Sequence, residues 1–114
     1  MKPELSEVLK IVNDVRIKAL GLNALENLPP GRLMKSYLCP LAKAFGRCYV
    51  DQEIIVVTDE EVAIAMSRIL GAKLDVNDGV KDEYIIEHFP KILSNFVVSF
   101  DNNEYPELVE QEEK

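Results

Sequence analysis

The chain has 114 residues, 47% hydrophobic and 29% charged, with 20 Asp and Glu against 13 Lys and Arg for a formal net charge of −7. These proportions are those of an ordinary globular domain and exclude a wholly disordered or fibrous chain. No apolar run approaches the ~20 residues of a membrane-spanning helix. The start, Met1-Lys2-Pro3-Glu4, has no apolar export signal, so a cytoplasmic protein with no membrane association is expected.

Residues 4–20 predict the first helix. Leu5, Val8, Val12, Val15, Ala19 and Leu22 recur at alternating three and four, with Pro3 suited to the first turn and Gly21 to the position past the end. The stripe serves either the protein's own core or a helix-mediated homodimer, though it lasts under three heptads. Asn23–Asn27 predicts one more helical turn, with Asn23 as cap and Glu26 reaching back. Pro29-Pro30-Gly31 then breaks the chain.

Leu28–Tyr49 holds both cysteines, Cys39 and Cys48, and the cations Arg32, Lys35, Lys43 and Arg47, without a single acid. It is a positive island in an acidic chain. Met34, Tyr37, Leu38, Leu41 and Phe45 are spaced as a helical face, but a proline inside a helix costs about 3 kcal/mol, so Pro40 interrupts it. The expected outcome is an irregular segment to Leu38, then a short helix from Pro40 to Phe45 closed by Gly46.

Arg47–Thr58 reads as the best strand, divided into a hairpin if Asp51-Gln52 turns. Thr58 is the expected cap of a helix over Asp59–Leu70, answered by Glu61, with Gly71 ending it. Lys73–Val76, the turn Asn77-Asp78-Gly79 and a strand from Val80 to His88 predict a second hairpin. A last helix starts at Pro90 and buries Ile92, Leu93, Phe96, Val97 and Phe100. Tyr105–Val109 then docks on the body.

The order of elements predicts an α+β fold, a small antiparallel or mixed sheet of about three to four strands covered by about three to four helices. One globular domain is expected over 1–109, with a mobile acidic tail over 110–114. Residues 101–114 carry a net charge of −5, leaving −2 for residues 1–100. A nearly neutral body with an acidic end disfavours nucleic acid as a partner.

Gly31-Arg32 followed by Cys39–Ala44, the strand and helix after them, and the box Phe96–Val109 resemble fragments of a group of small uncharacterised bacterial and phage-borne proteins. The resemblance implies a protein whose group has no activity to carry over.

Two constellations carry chemistry. A cysteine capping a helix that begins at Pro40 would feel the partial positive charge of free amides, so Cys39 is the candidate nucleophile or redox thiol. His88, the chain's one imidazole, is its candidate base. Against this stands the habit of unpaired cysteines to be small buried hydrophobes. The second constellation is a binding surface of Arg32, Lys35, Lys43, Arg47 and Tyr49, offering charge and a stacking face to a phosphate or a single strand. The same cations suit the protein's own acidic tail equally well. The Cys39–Cys48 spacing fits no zinc motif, Asp75–Gly79 is explained better as a turn than as a calcium loop, and no cofactor motif occurs. The expectation is a non-enzymatic protein that acts by binding a protein partner or a second copy of itself. The alternatives are a thiol enzyme or redox protein using Cys39, and an anion- or nucleic-acid-associated regulator using residues 32–47.

Overall fold

The computed structural model describes residues 2–46, 48–77 and 79–110. The fold is α+β, with an open antiparallel sheet of four strands and four helices. Helix α1 spans Leu5–Lys18, and its stripe Val8, Val12 and Val15 is 0% exposed beneath α2 (Pro40–Phe45), α3 (Glu60–Leu70) and α4 (Lys91–Asp101). That stripe is spent on the core, so α1 does not present it to a second copy. Asn23–Asn27 is not the expected helical turn. Asn13 holds it irregular, its amide donating to the Leu25 carbonyl at 3.0 Å and accepting from the Leu25 N–H at 2.8 Å.

The hairpin predicted between Arg47 and Thr58 is formed by β1 (Cys48–Val50) and β2 (Ile54–Val57), the Asp51 N–H donating across the turn to the Ile54 carbonyl at 2.9 Å. Helix α3 then carries the chain over the sheet to β3 (Lys73–Val76), and β4 (Tyr84–Glu87) returns between β3 and β2, giving the order β1-β2-β4-β3. The cap of α3 is Asp59, not Thr58: its carboxylate accepts from the Val62 N–H at 3.0 Å. Asp also complements the positive end of the helix dipole, which a threonine hydroxyl does not. The second hairpin loop is longer than predicted, because the chain bends through Gly79–Asp82 and Asp82 takes a φ of 60°, so β4 begins at Tyr84 instead of Val80. At the other end of β4, His88 has a φ of 60°, a conformation His tolerates better than most residues, and the chain leaves the sheet there for α4.

Period-two alternation sorts the strand residues onto two faces. Val50, Ile55, Ile86 and Leu74 stand in register on the inner face, under the helices. There α3 covers β2, β3 and β4, and α2 covers β1. The centre of the core is aromatic, with the Phe96 ring 5.1 Å from that of Tyr105 and 6.2 Å from that of Phe100. Among the described residues no helix is long and apolar enough to cross a membrane.

The C-terminal segment is part of this core. Tyr105 is buried with its hydroxyl donating to the Pro3 carbonyl at 2.5 Å, Leu108 is buried in a single 3-10 turn (Pro106–Leu108), and Val109 makes a parallel bridge to Gly31. The Gly31 N–H donates to the Leu108 carbonyl at 2.8 Å, and the Glu110 N–H donates to the Gly31 carbonyl at 2.8 Å. Glu110, expected to open the mobile tail, is thus tied to the body; residues 111–114 lie outside the described residues.

Candidate functional site

Cys39 occupies the position predicted for it. It is the N-cap of α2, with Pro40 in the first turn, and its Sγ accepts from the Ala42 N–H at 3.4 Å. The local geometry is that of an activated thiol, but the environment is not. Cys39 is 3% exposed, and burial pushes its thiol pKa up. The amides of Ala42 and Leu41 pull it down by less, and the charge of Asp101 adds to the rise. Cys48, on the other side of Ala42, donates to that residue's carbonyl at 4.0 Å and is pushed up to about 12, chiefly by burial. Both are free thiols inside the core.

His88 stands elsewhere. Its side chain is 76% exposed, 3.9 Å from the carboxylate of its neighbour Glu87, and it lines an open groove of ≈ 420 Å3 with Gln52, Ile54, Lys91 and Ser94. Cys39 is not among the walls of that groove. A base exposed at the end of β4 and a thiol sealed under α2 do not form the couple that nucleophilic catalysis needs. The site predicted from Cys39 and His88 is therefore not assembled, and among the described residues no three His, Cys, Asp or Glu side chains gather to hold a metal ion.

The basic surface divides in two. Arg32 and Lys43 converge on one carboxylate, Glu110, at 3.6 and 3.5 Å. The acidic end thus neutralises part of the island, with the backbone bonds at Gly31 bringing the carboxylate into place. Lys35 is exposed in the turn before α2, and Tyr49 lies apart, on the sheet. Arg47 lies outside the described residues.

Tyr49 belongs to a surface that reading the residues one segment at a time does not reveal. It pairs with Val56, Val56 with Ile85, and Ile85 with Asp75, in one row across all four strands; Ile54, Glu87 and Lys73 form the next row on the same face. Alternation turns this face away from the helices. Ile54, Val56 and Ile85 are half-buried by their cross-strand neighbours but are not packed against the core, and Tyr49 is 39% exposed. Val56 and Ile85 lie outside the helix-packed cluster, and Ile54 borders the groove at the head of α4. The signal was present in the run Ile54-Ile55-Val56-Val57: a fully apolar strand has two apolar faces, and one helical layer covers only one.

Turns at the two ends of the sheet give this face an acidic border. Asp51 and Glu53 lie between β1 and β2, and Asp82 and Glu83 with Lys81 between β3 and β4, adding to Asp75 and Glu87 against Lys73 on the face itself. Comparisons with protein-family models, with curated proteins and with solved structures yield no match.

Proposed function

We propose that this chain acts by binding another protein and not by catalysis, with the outer sheet face as the contact. One observation carries the reading: Tyr49, Ile54, Val56 and Ile85 form a contiguous apolar face outside the helix-packed core, while the opposite face packs under the helices. Apolar surface of this kind, rimmed by charge, marks interaction sites. The rim sets the chemistry of the occupant. Six acids against two lysines repel a second acidic surface and attract a basic one, so the partner presents an apolar centre bordered by Lys and Arg.

The test is site-specific photocrosslinking in the cells that make the protein, with benzophenone placed at Val56 and, as a control, at Glu61 on the exposed side of α3. The expected result is a discrete adduct from position 56 alone, lost when Ile85→Glu is added, whose cross-linked peptide carries apolar and basic residues. Equal adducts from both positions, or none at 56, would overturn the proposal.

A further inference from the structure

The two edges of the sheet are not alike. At β1 the outward N–H of Val50 donates to the Ser36 carbonyl at 2.8 Å, so the preceding loop closes that edge. At β3 the register Lys73↔Glu87 and Asp75↔Ile85, continued by the Asn77 N–H donating to the Glu83 carbonyl at 2.9 Å, turns those peptide groups toward β4. Antiparallel alternation then points the N–H and C=O of Leu74 and Val76 outward. Among the described residues no backbone group bonds to them there. Such an edge is a template for another strand.

We propose that β3 pairs antiparallel with β3 of a second copy, across a two-fold axis at Leu74, joining two four-stranded sheets into one continuous sheet. The charge pattern selects both occupant and register. With Leu74 opposite its own counterpart, Lys73 stands directly opposite Asp75 of the other copy, and by symmetry Asp75 stands opposite the other Lys73. Lys73 and Asp75 already lie 3.7 Å apart along their own strand, so the pairing closes a ring of four alternating charges. The neighbouring register, with Leu74 opposite Val76, sets the two Asp75 carboxylates face to face and is repulsive. The backbone permits the first choice, with the Val76 carbonyl left to water, so the charges decide the register. Leu74 exchanges bonds with its counterpart, and Val76 donates to the carbonyl of Ala72, whose own N–H is already committed to Ser67 at 2.8 Å. A self-complementary edge of this kind closes as a two-fold dimer, so the β3 edge is used up and does not propagate a fibre. The inference goes beyond the proposed partner binding, since it uses the edge and leaves the outer face open in both copies, side by side.

The experiment is sedimentation equilibrium on the wild type and on Lys73→Glu, Asp75→Lys, the double swap Lys73→Glu/Asp75→Lys, and Val76→Pro, with circular dichroism to show that each is folded. Val76→Pro removes a donor that points away from β4, so the intramolecular ladder stays intact. The wild type is expected to be a dimer, each single charge reversal to weaken it by roughly tenfold or more, Val76→Pro to abolish it, and the double swap to restore it. A wild type that stays monomeric through the accessible concentrations, single reversals that dimerise like the wild type, or a double swap no tighter than the singles would overturn the pairing. Val56→Glu, which breaks the proposed partner face, leaves the dimer unchanged if the edge carries it, and so separates a failure of one proposal from a failure of the other.

Discussion

Gly31 lies where three stretches of chain meet. Its backbone bonds to Leu108 and Glu110, and a Cβ added to it would come within 2.6 Å of both the Leu38 carbonyl and the Pro40 ring. Neither neighbour is the free end of a flexible side chain, so Gly31→Ala has to push the C-terminal strap or the start of α2 aside. The expected cost is about 1–3 kcal/mol, read as a lower urea midpoint. The buried thiols give a second expectation at this scale. Because the folded pKa of Cys39 and of Cys48 is raised, the unfolded chain loses these protons first as pH climbs above the ordinary thiol value of 9.0, and stability falls from there, for Cys48 up to its folded value of about 12. Below pH 9.0 both states keep the protons and the thiols contribute no slope. Urea midpoints measured from neutral pH into this window should drop, less steeply in Cys48→Ala. Iodoacetamide should modify either cysteine in the native protein no faster than the chain opens.

At the level of elements, the caps make the sharpest comparison. Asp59→Ala should cost about 1 kcal/mol through the lost bond to Val62, while Thr58→Ala costs a few tenths at most. The two adjacent substitutions thus report which residue starts α3. Glu110 makes the opposite point about charge. Its side chain is 40% exposed, as are its partners in part, so Glu110→Gln is expected to cost less than about 1 kcal/mol despite two ion pairs. High salt should erase even that difference. Much of this layer was readable in advance: the spacing of Val8, Val12 and Val15, the stop at Gly71, and Pro40 at the head of α2 are local signals with local causes. Three features were not. Whether Cys39 is exposed depends on which elements close over α2, whether the stretch after Leu22 is helical depends on a side-chain bridge from Asn13, and which face of β2 stays bare depends on where the single helical layer lies. The first and third are decided by elements distant in the chain, and the second by a partner twelve residues back that neither a helical nor a strand period points to.

For the molecule as a whole, stability rests on one aromatic core closed by the C-terminal segment. Tyr105→Ala should cost about 3–5 kcal/mol, since it empties the site between Phe96 and the N-terminus. That is a large share of the 5–15 kcal/mol typical of a domain, so the variant should be markedly aggregation-prone on warming, whereas Tyr105→Phe, which loses only the bond to Pro3, should remain folded. Light scattering during a thermal ramp distinguishes them. The bond between Tyr105 and Pro3 spans 102 residues and has a consequence for the order in which the protein can be made. Synthesis at about 5–20 residues per second puts roughly 5–20 s between the two partners. Through that interval α1 exists without the residue that seals the entry to it, and the strap that locks Gly31 has yet to emerge. The nascent chain therefore keeps its apolar centre open until Tyr105 and Leu108 have been made, and the core closes only after they reach it.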